Sequence, residues 1–170
     1  LGLLGPDGRD VPLRLESDGD AADAASNRTR VLQLKEAQAT FVFSGLKAAP
    51  LPSLLRDYSA PVKLRIQRSR KELAFLMAHD SDPFNRWDAG QSLALELVLE
   101  LANRWRAGKE LQLDPLLSEA LGRILRDASL DGSIKALALS LPAEDQVAQE
   151  LEVIDVDAIH EAREFLLRAL

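Results

Sequence analysis

Two patterns of apolar and polar positions divide the chain. Up to about residue 67, apolar and polar residues alternate in short runs, as in Val11 to Glu16 and Val62 to Gln67. Turn residues separate the runs, most clearly at Gly5 to Gly8. Period two between turns is typical of short antiparallel strands, so the first part is predicted to be a β-sandwich that opens on a hairpin. Further extended runs are predicted at 31–34 and 40–43, and a small polar loop at 17–27.

The second part has helix start signals followed by apolar residues. Ser69 and Glu72 have capping-box spacing, and Asp82 and Asp114 each stand before a proline that suits the first helical position. The pattern predicts helices at 70–79, 83–107, 115–128, 132–140, 143–151 and 156–170. Successive helices with short connections are typical of a stacked, ARM/HEAT-like helical array. The predicted fold class is therefore α+β, with the sandwich followed by an all-α domain.

One run inside the second helix is ambiguous. Leucines at alternate positions from Leu93 to Leu101 have the period of a strand. The residue types between them are strong helix formers, and only Val98 is β-branched. We predict a helix that is apolar on most of its circumference and is buried between neighbours.

The distribution of charge supports a domain boundary near Gln67. Residues 1–67 contain 9 basic and 8 acidic side chains, whereas residues 68–170 contain 12 and 19. We therefore expect domains at 1–67 and 68–170. The net charge of −6 disfavours a nucleic-acid-binding domain, because phosphate binding needs surplus Lys and Arg.

Other features exclude several protein classes. No window approaches the ~18 apolar residues of a membrane span, and no signal peptide is visible, so we expect a cytoplasmic protein without a membrane partner. The chain has no cysteine and only two histidines, which excludes thiolate zinc sites, a cysteine nucleophile and a three-histidine metal site. Leu1 opens in a strand-like run and Leu170 ends in an apolar helix, so we expect a piece of a longer chain with an incomplete sandwich.

Three groups of residues could suggest a functional site. His160 and Glu164 share a helix face, but a helical zinc motif H-E-x-x-H needs histidine at both positions. The cluster of His79, Asp80, Asp82 and Asp88 lacks the alternation and the glycine of a calcium loop.

The basic run that contains Arg65, Arg68, Arg70 and Lys71 has no interleaved aromatic residue, and we expect a solvated surface. Trp87 and Trp105 are predicted to be core residues. On these residues alone the chain is predicted to be non-catalytic.

Three stretches nevertheless resemble one family. The string from His79 to Gln91, H-D-S-D-P-F-N-R-W-D-A-G-Q, is similar to a segment of the aminopeptidase N family of zinc metallopeptidases, in its bacterial alanyl-aminopeptidase branch. Tyr58 to Leu64 resembles the family's F/Y-S-A-P-V-K-L strand, and Gln38 to Phe43 resembles its Q-x-T-F-V-F strand. Their order and spacing match across nearly the whole chain.

The resemblance implies a position inside a larger enzyme. It implies that residues 1–67 form most of an immunoglobulin-like sandwich and that residues 68–170 begin a helical superhelix that roofs the active site. The family's zinc ligands and its G-A-M-E-N motif are absent, since Met77 is the only methionine and Ala78 follows it. We therefore expect no catalytic, cofactor-binding or metal-binding residue in this chain, and zinc only in the parent enzyme.

The leading hypothesis is a non-catalytic fragment of an aminopeptidase that removes N-terminal residues from peptides. Its expected partners are the catalytic domain of the same polypeptide and, for the parent enzyme, peptide substrates. The alternative is a free-standing helical-repeat interaction module without enzymatic activity. The thirteen-residue string is expected to join two helices near the domain junction.

Overall fold

The computed structural model describes residues 1–18 and 27–170. The chain divides into two compact units. The first comprises Leu1–Gln67 together with His79–Arg86, and the second comprises Arg68–Ala78 together with Trp87–Leu170. The link between the first two helices therefore belongs to the same unit as the extended part of the chain.

Antiparallel pairing organises the first unit. Strand β1 (Gly2–Leu4) pairs with strand β2 (Leu51–Ser53), and Gly2 lies opposite Ser53. The predicted turn after β1 forms, and the Val11 N–H returns to donate to the Leu3 carbonyl at 2.9 Å. The predicted second strand of that hairpin, Val11 to Glu16, does not form, because β1 takes β2 as its partner. Short 3₁₀ turns occur at Glu16–Asp18 and Arg56–Tyr58. The buried leucines of this unit are Leu3, Leu4, Leu13 and Leu15.

Three further strand predictions differ from the structure. The alternating run at 62–67 is not a strand, and its apolar row of Val62, Leu64 and Ile66 is 45–60% exposed. Alternation predicts a strand only where a neighbouring strand supplies hydrogen bonds and a cover for the apolar face, and no described residue pairs with this run. The runs at 31–34 and 40–43 contribute one isolated bridge, between Phe43 and Leu15. Most of the predicted polar loop at 17–27 lies outside the described residues.

All six predicted helices are confirmed, and three of them end at least two residues earlier than predicted. They are α1 (Arg70–His79), α2 (Pro83–Arg106), α3 (Pro115–Arg126), α4 (Gly132–Ala138), α5 (Glu144–Ala148) and α6 (Val156–Ala169). The predicted caps at Asp82 and Asp114 form, since these side chains accept the Asn85 and Leu116 N–H groups, each at 2.9 Å. Asp155 caps α6 in the same way and accepts the Ala158 N–H at 3.1 Å. In the described part of the chain, none of the helices has the length and apolar content that crossing a bilayer requires.

Helical burial resolves the ambiguous run from Leu93 to Leu101. Leu93, Leu97, Val98 and Leu101 are at most 3% exposed, which is the spacing of one broad helix face, so the helix prediction is confirmed. Helix α3 packs on α4, and α5 packs on α6. Buried side chains from the other long helices complete the core of this unit: Leu76, Met77, Leu117, Leu121, Ile124, Ile159 and Leu166.

Candidate functional site

A buried arginine is the centre of a polar cluster in the first unit. Arg56 is 2% exposed, and its guanidinium donates to both carboxylate oxygens of Asp10, at 2.7 and 3.0 Å. The same guanidinium donates to Asp80 Oδ1 at 3.0 Å and to Ser53 Oγ at 2.8 Å. A bidentate Arg–carboxylate pair with further hydrogen bonds fixes the geometry of every group involved. The cluster therefore ties β2 to segments distant in sequence.

Residues 80–85, within the thirteen-residue string, supply most of the other contacts. Asp82 Oδ2 accepts the Asp57 N–H at 2.9 Å, and Asp82 Oδ1 accepts the Asn85 N–H at 2.9 Å as the N-terminal cap of α2. The Asn85 side-chain amide donates to Ser53 Oγ at 2.9 Å and to the Leu54 carbonyl at 2.8 Å. Ser81 Oγ donates to Asp10 Oδ2 at 2.6 Å. Polar side chains of this segment thus hold backbone and side chains on both sides of Arg56.

The turn that presents Arg56 has an unusual backbone. Leu55, Asp57 and Tyr58 have φ values of 55°, 55° and 50°, in the left-handed region that favours glycine. Tyr58 lies on this turn, and its ring centroid is 4.4 Å from that of Phe84. Several such residues in one turn persist only where surrounding contacts determine the conformation.

Burial and charge act in opposite directions on the two carboxylates beside Arg56. Burial opposes the ionisation of Asp10, but hydrogen bonds from Arg56 and Ser81 outweigh it and lower the pKa of Asp10. Burial raises the pKa of Asp80 above its ordinary value, against hydrogen bonds from Ser53 and from the Asp82 N–H. Burial also acts to lower the pKa of Arg56, but Asp10 and Asp80 outweigh this effect and raise it. The cluster is an ion-paired structural site.

The chemistry of the cluster is positional. The Arg56 donors are directed at Asp10, Asp80, Ser53 and Thr29, so the guanidinium is held by protein acceptors. Within residues 1–18 and 27–170, no group of three or more His, Cys, Asp or Glu side chains could hold a metal ion. The arrangement orders the backbone of the first unit.

The acidic group that includes His79 is distributed over distinct roles. Asp80 pairs with Arg56, and Asp82 caps α2. Asp88 is exposed on α2. His79 ends α1, and its imidazole lies against Gly8, where an added Cβ would collide with it. Two of the four residues are thus in the polar cluster.

Of the other sequence candidates, Arg65 lies in the first unit, whereas the rest of the basic run, His160 and Glu164 lie in the second. His160 Nδ1 and Glu144 Oε1 are 2.9 Å apart, and Glu164 pairs with Arg168 at 3.3 Å. Arg70, from the basic run, pairs with three acidic side chains, which are Glu96, Glu100 and Asp114.

Sequence reasoning made one wrong assignment and missed one residue. Trp105, predicted as core, is 39% exposed although it follows the buried Leu101 and Ala102 on the same helix face, because it stands in the last turn of α2, where the residues after it are exposed. Trp87 is half-buried. Arg56 was not singled out, because its partners Asp10 and Asp80 are 46 and 24 positions away. The only local signal was an arginine directly after two leucines in a turn-rich segment.

Two family models together match nearly the whole chain. Residues 1–67 match "Domain of unknown function (DUF3458) Ig-like fold", and residues 70–170 match "Domain of unknown function (DUF3458_C) ARM repeats". The predicted fold class, an Ig-like sandwich followed by an ARM-like helical array, is thereby confirmed.

Similar proteins point to the same family as the sequence motifs. Aminopeptidase N of Escherichia coli is 39% identical over 82% of the chain, and that of Caulobacter vibrioides is 37% identical over 86%. A solved structure of Legionella pneumophila aminopeptidase A in complex with aspartic acid matches 99% of the chain, with a TM-score of 0.73 and 26% identity. The chain spans only 16–17% of the length of these two relatives and 18% of the solved chain. The resemblance to aminopeptidase N is confirmed.

Proposed function

The chain belongs to the DUF3458 family and is similar to aminopeptidase N, and on these grounds we propose that it is a non-catalytic part of a larger aminopeptidase. In that enzyme the reaction is removal of N-terminal residues from peptides. This chain supplies the linking Ig-like sandwich and part of a helical domain that roofs the active site.

One observation supports the proposal most strongly. The relatives match the chain over 82–86% of its length, yet the chain spans only 16–17% of theirs. The polar cluster around Arg56 is built for positioning, since the Arg56 donors are directed at acceptors of the protein itself. A structural segment of a longer enzyme accounts for both facts.

The residues of this chain do not fit a zinc site. His160 is bonded to Glu144, and the described residues contain no suitable group of three ligands. We propose that zinc belongs to the parent enzyme and is held by residues outside this chain. The catalytic domain of the same polypeptide is then its partner, and peptides are the substrates of the whole enzyme.

Two further assignments complete the proposal. We place the boundary between the Ig-like and helical domains at residues 67 and 68, where the charge balance changes from near neutral to acidic. We also propose a cytoplasmic location for the parent enzyme.

The proposal is tested by comparing this chain with the longest polypeptide expressed from the same reading frame. Both are assayed for release of N-terminal residues from a short peptide and for bound zinc. We expect activity and zinc in the longer polypeptide only. Hydrolysis by the 170-residue chain alone would contradict the proposal.

A variant of the longer polypeptide tests the proposal that His160 on α6 is not part of a zinc site. Glu161→Ala in the longer polypeptide is expected to leave zinc content and activity unchanged, because Glu161 is a surface residue of α6. Loss of zinc in that variant would restore the helix as a candidate metal site.

A further inference from the structure

Residues 54–58 form a turn, called the 54–58 turn, and this turn is held in a conformation that its own residues disfavour. Leu55, Asp57 and Tyr58 all have positive φ, and none of them is glycine. A side chain with a Cβ meets its own backbone in this region, so each position adds strain. The turn needs contacts from elsewhere to keep it closed.

The contacts come from the first turn of α2. Asp82 uses one carboxylate oxygen for the Asp57 N–H and the other for the Asn85 N–H. Asn85 uses one side-chain nitrogen for both Ser53 Oγ and the Leu54 carbonyl. The same two side chains therefore complete the start of the helix and hold both ends of the turn.

We propose that Asp82 and Asn85 form a clasp, a conformational device that keeps the 54–58 turn in its strained, left-handed state. With the clasp closed, Arg56 is inserted between Asp10 and Asp80. With the clasp open, the turn relaxes to ordinary φ values and withdraws the guanidinium from its partners. The proposal goes beyond the aminopeptidase assignment and does not depend on it.

Clasp opening changes an exposed surface as well as the buried cluster. Tyr58 is 69% exposed on the strained turn, and its ring rests beside Phe84 at the start of α2. Relaxation of φ at Tyr58 redirects this ring. Because Tyr58 is the only tyrosine of the chain, its ring resonances report the state of the clasp without ambiguity.

The test uses the full 170-residue chain and amide hydrogen exchange measured by NMR. Asn85→Ala removes the bonds to Ser53 and to the Leu54 carbonyl, keeps the bond between Asp82 and the Asp57 N–H, and leaves a good helix former on α2. We expect the Asp57 and Ser59 amides to exchange about tenfold faster, as loss of buried hydrogen bonds requires. Asn103→Ala, at an exposed position of the same helix, is the matched control and is expected to leave both amides unchanged.

A variant that relieves the backbone strain at residue 57 distinguishes a clasp from ordinary packing contacts. Asp57→Gly keeps the N–H that Asp82 accepts and removes the Cβ that is unfavourable at φ 55°. In this background, Asn85→Ala is expected to accelerate exchange less, because the unstrained turn stays closed with fewer contacts. An undiminished effect in the Asp57→Gly background would overturn the proposal, and so would exchange in Asn85→Ala equal to that of the control.

A third measurement applies even if Asn85→Ala fails to fold. The Asp57→Gly single variant retains every clasp contact, and we expect the amides at position 57 and at Ser59 to exchange more slowly than in the parent chain. The nuclear Overhauser contact between the Tyr58 and Phe84 rings should remain. Faster exchange in this variant would show that the left-handed turn stores no strain and would overturn the proposal.

Discussion

Replacing Arg56 with methionine tests the energetic role of the buried cluster. Methionine fills much of the same volume but supplies no charge and no hydrogen-bond donor. Asp10 and Asp80 lose their shared counter-charge in Arg56→Met, and their side chains are only 12% and 0% exposed. Ser53 Oγ also loses a donor. Removing one partner of a buried ion pair typically costs about 3–5 kcal/mol, because the remaining charge stays desolvated.

The same substitution at a surface arginine supplies the comparison. Arg70 pairs with Glu100 at 2.7 Å, but its side chain is 32% exposed and that of Glu100 is 46% exposed. Exposed pairs contribute about 0–1 kcal/mol, so Arg70→Met is expected to cost several-fold less than Arg56→Met. The contrast isolates burial, since the chemical change is identical.

The assay must resolve the two compact units, because a single melting temperature describes only a chain that unfolds in one two-state step. Hydrogen exchange followed by mass spectrometry gives the free energy of opening for peptides in residues 1–18 and 51–58 and, separately, for the helices. Arg56→Met is expected to lower the former by about 3–5 kcal/mol, a large part of the ~5–15 kcal/mol typical of a whole protein. A loss below about 1 kcal/mol would refute the reasoning that the ion pairs are essential to this unit.

Charge, rather than shape, should account for the loss. Adding Asp80→Asn to Arg56→Met removes one of the two carboxylates that have lost their counter-charge. The double variant is therefore expected to lose less free energy of unfolding than the sum of the losses in the two single variants. Additive effects would indicate that lost packing around Arg56 causes the destabilisation.

Three smaller predictions concern other positions. Gly2→Ala should destabilise the first unit by about 1–3 kcal/mol in exchange experiments, because the new Cβ would collide with the buried guanidinium, whereas Gly132→Ala has open space and should not destabilise by that mechanism. Asp114→Ala should cost about 1 kcal/mol in urea unfolding of the helical unit, through loss of the α3 cap; an unchanged midpoint would contradict the cap assignment. The Glu144 carboxylate raises the pKa of His160, so Glu144→Gln should lower it in an NMR titration. The stabilisation from this pair is complete below the unfolded histidine pKa and is lost as pH rises through the raised folded pKa, so a Glu144→Gln effect confined to high pH would contradict it.

Local signals made the helices predictable, whereas the sheet and the site depended on distant partners. Asp114 and Asp155 define helix starts through bonds to residues two and three positions away, and the sequence displays such pairs directly. The run at 62–67 has the period of a strand, but a strand also requires a neighbour that local sequence does not reveal. The cluster joins Asp10, Arg56 and Asp80 across long loops, and no short motif contains all three.

The thirteen-residue string shows how a family resemblance and physical reasoning contribute differently. The string identified the aminopeptidase N relationship, which the relatives confirm. On residue chemistry alone, the cluster of His79, Asp80, Asp82 and Asp88 does not qualify as a calcium loop. The structure shows the actual partners of Asp80 and Asp82. Asp80 accepts hydrogen bonds from Arg56 and from the Asp82 N–H. Asp82 accepts the N–H groups of Asp57 and Asn85. The signal for function was therefore the pattern of the string, while the role of each residue required the fold.

The central claim is that this chain is a structural part of a longer aminopeptidase, and the size of the native polypeptide tests it most directly. An antibody raised to the chain is used to immunoblot the source cells. We predict a band several times larger than the 18.7 kDa of this chain, because the chain spans only 16–17% of its relatives. A band at 18.7 kDa alone would contradict it and would favour a free-standing helical-repeat module.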